Sequence, residues 1–234
     1  MVLETLAIPR SELHTRLIVL EGCDRVGKDT QAQMLADHLE GEGNRVSVFS
    51  FPDYDSLTGE FVGEFLDGNI RLDDVNLPSH GCGTDTHHEQ LESLMFQCVQ
   101  ICDKYARIPA IMSRLSAGEY VIVSRWWQSA YVYGLESGSS PSWLTSVLFG
   151  FPFAGTNILL DWDESIIKSR AEASGSGDIF ERNLPMQARL AESYRELWNN
   201  KNQKLNSYHV VSIEGTSAQV HQRVLDVIPT PVKF

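Results

Sequence analysis

Two glycines and a lysine near the start of the chain have the spacing G-x-x-x-x-G-K, with Gly22, Gly27 and Lys28 at the fixed positions. Glycines there let backbone amides turn toward a phosphate group, and the lysine neutralises charge on its oxygens. An apolar run precedes this pattern and a helical pattern follows it, which is the strand-loop-helix context of a phosphate loop. We therefore predict a phosphate-binding site formed by nine consecutive residues: Gly22, Cys23, Asp24, Arg25, Val26, Gly27, Lys28, Asp29 and Thr30.

The residue after the lysine departs from the pattern. A Ser or Thr is expected there as a Mg²⁺ ligand, whereas this chain has Asp29, followed by Thr30. A carboxylate is also a good ligand for a hard cation, although it adds negative charge beside a triphosphate. Asp29 is therefore a candidate metal ligand.

The elements that position this loop are indicated by five short apolar runs, at residues 17–20, 46–49, 120–123, 157–160 and 209–213. Longer amphipathic segments separate them, including helical patterns at residues 28–39 and 91–115. Runs of four to six apolar residues between helices are typical of buried parallel strands. The pattern predicts an α/β fold, with irregular segments at residues 76–89 and 174–178.

The composition of the chain limits the classes of function that it can have. The 234 residues, of which 42% are hydrophobic, suffice for one core, and the net charge of −12 disfavours binding to a nucleic-acid polymer. Residues 1–15 have no long apolar stretch, so we predict an N-terminal extension, no membrane segment, and one domain over residues 16–234. The four cysteines have no CxxC spacing, which favours a reducing, cytoplasmic location. Two of them, Cys98 and Cys102, are expected in the core.

Five stretches, in order, resemble motifs of the thymidylate kinase family of phosphate-loop nucleoside monophosphate kinases. They are LEGCDRVGKDTQ at residues 20–31, FPDY at 51–54 with TG at 58–59, SRW at 124–126 with SAYVY at 129–133, LD at 160–161 with Arg170, and DIFE at 178–181. The match covers residues 16–216, and its departures suggest a divergent, virus-type member.

The resemblance implies a three-layer phosphate-loop NTPase fold, with a central five-stranded parallel sheet and helices on both faces. It places a short lid at about residues 171–182 and an insertion at about residues 76–89. It also implies that the γ-phosphoryl of ATP, with Mg²⁺, is transferred to a deoxypyrimidine nucleoside monophosphate, with dTMP as the first expectation. A homodimer is implied as well.

Carried over by position, the resemblance implies that Lys28, Arg25 and Arg125 are the catalytic cations. Asp24 would bind the 3′-hydroxyl of the acceptor sugar, and Arg125 the acceptor phosphate. Tyr133 would pack at C2′ and disfavour a ribose. The acceptor site as a whole is expected to comprise Asp24, Phe51, Tyr54, Gln100, Lys104, Arg125, Ser129, Ala130 and Tyr133. Phosphoryl transfer depends on positioning and charge neutralisation, which agrees with cations that converge from separate loops.

One departure concerns the metal. The family has an Asp-Arg pair after the third strand, whereas this chain has Ser124-Arg125. Because Asp29 stands at the hydroxyl position and Ser124 at the carboxylate position, we hypothesise that the two groups have been exchanged across the Mg²⁺ site. Two unrelated substitutions in a weakened enzyme are the alternative.

Other departures concern the acceptor. Tyr54 replaces an arginine, Gln100 replaces a stacking phenylalanine, and Lys104 replaces an arginine that binds the pyrimidine O4. The more polar pocket makes 5-hydroxymethyl-dUMP an alternative acceptor. A non-catalytic nucleotide-binding protein is a second alternative, and a nucleoside kinase is disfavoured by Arg125.

Several candidates have weaker support. Family lids often carry an arginine where this chain has Ile179, so Arg170 and Arg182 are reserve catalytic cations behind Arg25. Trp126 is a weak acceptor-site candidate. A further cluster fits no standard zinc spacing and is interpreted as a solvated loop: His80, Cys82, His87 and His88.

Overall fold

The computed structural model describes residues 13–70, 85–174, 183–199 and 207–229. Its strands are β1 (Leu13–Glu21), β2 (Val46–Ser50), β3 (Tyr120–Ser124), β4 (Phe153–Asp161) and β5 (Ser207–Ser212). Its helices are α1 (Lys28–Gly41), α2 (Leu57–Leu66), α3 (Asp85–Ser116), α4 (Trp127–Glu136), α5 (Pro141–Leu148), α6 (Glu164–Ser174), α7 (Leu184–Asn199) and α8 (Ser217–Val227).

The five strands form one parallel sheet in the order β2-β3-β1-β4-β5. The central strand β1 pairs with β3, where Leu17 lies opposite Val121, and with β4, where Leu20 lies opposite Ile158. This confirms the predicted sheet, and each of its strands contains or overlaps one predicted apolar run. Because β1 and β3 are neighbours, the loops that follow them, which carry Lys28 and Arg125, emerge side by side at one edge.

Helices cover both faces of the sheet. Right-handed connections place α1 and α8 on one face, where they pack against each other, and α3, α4 and α7 on the other. The core between the layers includes every residue of the first predicted run, Leu17 to Leu20, at 0–1% exposure. The chain thus has the three-layer phosphate-loop NTPase fold. Among its described residues, no helix is both long enough and apolar enough to cross a membrane.

Four expectations differ from the structure. Strand β1 begins at Leu13, inside the expected N-terminal extension, and α6 ends at Ser174, the first residue of the second segment expected to be irregular. Helix α3 begins at Asp85, so residues 85–89 of the segment expected to be irregular are helical. Cys98 and Cys102 are exposed, so their expected place in the core is wrong. Helical spacing shows that two residues share a face, but not which face is buried. Three site candidates of the insertion and lid, His80, Cys82 and Arg182, lie outside the described residues, as does Ile179.

Candidate active site

The phosphate loop lies between the end of β1 and the start of α1. Gly22 has φ 138°, and a Cβ there would lie 2.6 Å from the carbonyl oxygen of Leu160, so only glycine fits. Gly27, with φ 99°, is the N-cap of α1. The buried Lys28 Nζ donates to the carbonyl oxygens of Gly22 at 2.9 Å and Cys23 at 2.5 Å. Burial, followed by the nearby charge of Arg125, lowers the pKa of Lys28 to about 8.

Arg125 follows the last residue of β3 with a left-handed φ of 64°. This turn is held by its N–H, which donates to the Leu20 carbonyl at 3.0 Å, and the side chain reaches back over the phosphate loop. There Nη2 donates to Asp24 Oδ1 at 2.6 Å. Nη1 is buried and has no hydrogen-bond partner among the described residues. Because a buried donor without a partner is costly, this nitrogen marks a place for an anionic ligand.

Asp24 is the centre of the site. Besides Arg125, its carboxylate accepts hydrogen bonds from the Tyr133 hydroxyl at 2.9 Å and from Gln187 Nε2 at 2.8 Å. Burial raises the pKa of this carboxyl, but the charges of Arg125 and Lys28 and these two hydrogen bonds outweigh burial, and the pKa is lowered from its ordinary value. Asp24 is therefore ionised at neutral pH and fixes three side chains from different elements.

Sequence reasoning missed Gln187, a buried residue of α7. Its Oε1 accepts from the Asp24 N–H at 3.0 Å while its amide donates to the carboxylate. A lone glutamine on an amphipathic helix gives no signal in the sequence. Only the packing of α7 against β4 and β5 brings it to the phosphate loop.

Glu21, the last residue of β1, was also given no role by sequence reasoning. Its fully buried carboxylate accepts from the N–H groups of Trp126 at 2.7 Å and Ser129 at 3.1 Å, and from the hydroxyls of Ser129 at 2.5 Å and Tyr194 at 3.2 Å. An anion at the N-terminus of α4 satisfies donors that the helix leaves unpaired. Glu21 thus ties β1 to the segment that carries Arg125.

The two departures from the family pattern are in direct contact. The Ser124 hydroxyl donates to Asp29 Oδ1 at 2.6 Å, and the Ser50 hydroxyl donates to the same oxygen at 2.8 Å. Burial raises the pKa of Asp29, but these two hydrogen bonds and the charges of Arg125 and Lys28 outweigh burial. The pKa is therefore lowered from its ordinary value, and the carboxylate is ionised at neutral pH. The result is a cluster of one carboxylate and two hydroxyls beside Lys28, at the carboxyl ends of β2 and β3.

Beside Asp24 lies an inner cavity, whose wall carries most of the predicted acceptor residues. It is lined by Asp24, Tyr54, Gln100, Arg125, Ser129 and Tyr133, together with Pro52 and Leu66. An outer groove of ≈ 580 Å³ adjoins it, and the two share Pro52, Tyr54 and Arg125. The groove extends from Asp29 past Ser50 to the loop that follows β2.

Two other predicted acceptor residues, Lys104 and Phe51, lie against each other. Lys104 is 1% exposed, lies over the Phe51 ring at 5.3 Å from its centroid, and donates to the Gln100 carbonyl at 3.4 Å. Burial lowers the pKa of Lys104 to about 8. Phe51 lines the outer groove and is itself buried. Neither side chain is part of the inner cavity's wall.

Two other candidates belong to the core. Ala130 is 1% exposed and packs within the main hydrophobic cluster, and its side chain lines neither cavity. The prediction of Trp126 as an acceptor residue is wrong, because its ring packs edge-on against Phe151 at 4.9 Å and its Nε1 donates to the Pro152 carbonyl. The turn at Arg125 directs one side chain toward the loop and the next into the core.

The loop arginine is positioned by a second arginine. Arg25 has a left-handed φ of 64°, and Arg170 of α6 donates from Nη1 to its carbonyl oxygen at 2.7 Å. Arg170, one of the two reserve cations, therefore lies against the phosphate loop. Through this hydrogen bond Arg170 supports the backbone of the phosphate loop.

Comparisons with known proteins agree on one family. The family model described as Thymidylate kinase matches residues 20–224. A thymidylate kinase of Schizosaccharomyces pombe is 24% identical over 213 residues, which cover 91% of each chain. One of Arabidopsis thaliana is 26% identical over 217 residues, covering 93% of this chain and 72% of its own. A relative from Invertebrate iridescent virus 6 is 26% identical over 202 residues, 84% of each chain.

A solved structure gives the same fold. The thymidylate kinase of Candida albicans superposes with a TM-score of 0.70 and covers 92% of this chain and 91% of its own, at 19% identity. At this identity the similarity establishes the architecture, while the family model establishes the relationship.

Proposed function

The chain belongs to the thymidylate kinase family of nucleoside monophosphate kinases, which transfer the γ-phosphoryl of ATP to dTMP, and we propose which of its residues perform each part of that reaction. Lys28 and the amides of the phosphate loop hold the ATP phosphates. Arg125 holds the acceptor phosphate with its unpartnered Nη1, while Asp24 fixes the other arm of the guanidinium. Arg25 is the further catalytic cation.

The single observation that supports this assignment best is the Asp24 cluster. It joins the phosphate loop to the end of β3, to α4 and to α7 through hydrogen bonds of 2.6 to 2.9 Å. Donor and acceptor cations therefore belong to one rigid unit, which is what in-line transfer between two phosphates requires. The comparisons give no support to 5-hydroxymethyl-dUMP as acceptor or to a non-catalytic role.

A panel of acceptors tests the proposed substrate. We expect kcat/KM to be highest for dTMP when dTMP, dUMP, 5-hydroxymethyl-dUMP and thymidine are compared with ATP and Mg²⁺. Thymidine should be a poor acceptor because it leaves Arg125 without its phosphate. A higher kcat/KM for any of the other three would refute dTMP as the substrate.

We propose that Mg²⁺, when bound, is held by Asp29 and Ser124 with Ser50 beside them. The donor set fits, because an ionised carboxylate and hydroxyl oxygens are hard ligands for this ion. The chemistry that the ion supplies is charge neutralisation at the β- and γ-phosphate oxygens. The 2.6 Å contact between Ser124 and Asp29 supports the hypothesis that carboxylate and hydroxyl have exchanged places.

A double-mutant cycle tests the exchange. Asp29→Ser removes the carboxylate, so it should lower kcat and weaken Mn²⁺ binding measured by EPR. Ser124→Asp sets a second carboxylate beside the first and beside the triphosphate, so it should lower kcat. The double variant restores one carboxylate and one hydroxyl and should recover most of both, with a coupling of ~1–3 kcal/mol. Additive losses, with thermal unfolding unchanged, would show that the two substitutions are unrelated.

We further propose a cytoplasmic location, for which the cysteine spacing is the support. We also propose a homodimer that packs through α3. The support for the dimer is an exposed, largely apolar stripe on one face of α3. Its members are Leu91, Leu94, Cys98 and Cys102.

Sedimentation of a charged variant tests the dimer. Leu94→Glu buries a charge in the proposed interface, so it should shift the wild-type dimer to monomer at micromolar concentration. Val210→Glu on the edge strand β5, where Val210 is 55% exposed, is the matched control and should stay dimeric. A monomeric wild type, or a dimeric Leu94→Glu variant, would exclude this interface.

A further inference from the structure

The outer groove contains a second arginine that the proposed mechanism does not use. Of the groove's lining residues, Arg107 and Arg125 are the arginines, and three aspartates accompany them: Asp29, Asp53 and Asp55. Arg107 belongs to α3, and its side chain is 38% exposed. Neither the pattern of motifs nor the residues carried over from the resemblance assigns it a role.

The phosphate of a nucleoside monophosphate needs more positive charge than Arg125 supplies alone. A phosphate monoester carries about −1.5 to −2 charges at pH 7. Arg125 already donates one arm to Asp24, which leaves Nη1 for the ligand. Three aspartates around the groove oppose a dianion. A second cation at the groove is therefore needed to make the site attractive to a dianion.

Arg107 forms an ion pair with Asp53 that a phosphate ligand can displace. Its Nε and Nη2 both contact Asp53 Oδ2, and Asp53 lies in the loop after β2. The pair is partly exposed to solvent, and ion pairs of that kind contribute little to stability, about 0–1 kcal/mol. A phosphate dianion in the same groove competes well with a single carboxylate for a guanidinium, which binds phosphate with two N–H groups.

The loop does not depend on this ion pair for its position. The buried Asp103, one turn before Arg107 on α3, accepts from the Asp53 N–H at 2.8 Å, from the Ser56 hydroxyl at 2.7 Å and from the Thr58 hydroxyl at 2.8 Å. These three bonds fasten the loop to α3 through groups that exclude Arg107. The guanidinium can therefore move while the loop stays in place.

We propose that Arg107 is a second ligand for the acceptor phosphate, released to it by Asp53 when the nucleotide enters beside Arg125. The proposal rests on the proposed function. It means that successive turns of α3 all serve the acceptor site, because Gln100 lines the inner cavity, Asp103 fastens the loop, and Arg107 reaches the outer groove. Asp53 competes with the phosphate for the guanidinium and thereby limits the affinity.

Calorimetric titration of dTMP and of thymidine into the full chain tests this, with two variants that break the same ion pair. Arg107→Gln should weaken dTMP binding ~10-fold or more, because a charge-assisted hydrogen bond to the phosphate is lost. It should leave thymidine binding unchanged, because thymidine has no phosphate. Asp53→Asn should bind dTMP at least as tightly as the wild type, because the competing carboxylate is gone. Arg107→Lys should fall between the wild type and Arg107→Gln. Thermal unfolding confirms that each variant is folded.

The two variants separate binding from loop support. If Arg107 only positioned the loop, Arg107→Gln and Asp53→Asn would weaken both ligands alike, and that result overturns the inference. Unchanged dTMP binding by Arg107→Gln overturns it as well. A wild type that binds no dTMP refutes the proposed function itself, so the two failures are distinguishable.

Discussion

Replacing Lys28 by methionine is expected to lower kcat at least ~10²-fold, the cost of removing one preorganised charge at the transferring phosphoryl group. The side chain is buried, and methionine has a similar length, so the loop should keep its fold. What is lost is the ammonium that donates to the loop carbonyls of Gly22 and Cys23. Steady-state kinetics with ATP and dTMP measure the effect, and a kcat within threefold of wild type would contradict the role.

The same lysine predicts a pH dependence. Its pKa of about 8 lies below the ordinary value of 10.5, so in the free enzyme the ammonium is charged below pH 8 and neutral above it. The groups that face it are Arg125, which lowers the pKa, and Asp24, Cys23 and Asp29, which raise it. We therefore expect kcat/KM for ATP to fall as the pH rises through 8. The Lys28→Arg variant keeps a positive charge at this pH, so its kcat/KM should not decline through pH 8. Its kcat should be lower than that of the wild type, because arginine differs from lysine in shape.

Replacing Arg125 by glutamine is expected to lower kcat/KM for dTMP ~10²-fold or more and to leave KM for ATP nearly unchanged. The variant removes the cation of the acceptor phosphate. It also leaves the ionised Asp24 buried without its charged partner, which costs roughly 3 kcal/mol of stability. Arg195→Gln, which breaks the partly exposed pair with Asp161, is the matched control and should keep most of its activity.

A second substitution separates the two effects of losing Arg125. Arg125→Gln combined with Asp24→Asn removes the buried carboxylate that had lost its charged partner, so much of the unfolding free energy should return. The rate should not return, because neither residue can then act on the acceptor. If kcat/KM recovered together with stability, Arg125 would be a structural residue. Chemical denaturation and steady-state kinetics on the same preparations decide between these outcomes.

Sequence reasoning succeeded where the chemistry is local. The phosphate loop needs glycine at positions of positive φ, so Gly22 and Gly27 indicate it in the sequence. The parallel sheet follows from the inner strands, whose runs at residues 17–20, 120–123 and 158–160 are buried on both faces and are therefore continuously apolar. Arg125 could be placed because it directly follows such a strand.

It failed where the signal depends on packing between distant segments. Gln187 and Arg107 lie on helices and reach the site only through the way these helices pack. Trp126 was misplaced because nothing in a sequence tells which of two neighbouring side chains follows a left-handed turn into the core. Cys98 and Cys102 were misplaced because the face of α3 that carries them is exposed to solvent.

The central claim is that the Asp24 cluster brings donor and acceptor phosphates together for transfer from ATP to dTMP. Direct detection of dTDP by ³¹P NMR, with ATP, Mg²⁺ and dTMP present together or omitted singly, tests it most directly. We predict that dTDP and ADP form in equal amounts, and only when both nucleotides are present with the wild-type chain rather than with Arg125→Gln. ADP that forms at the same rate without dTMP, or no dTDP at all, would contradict the claim.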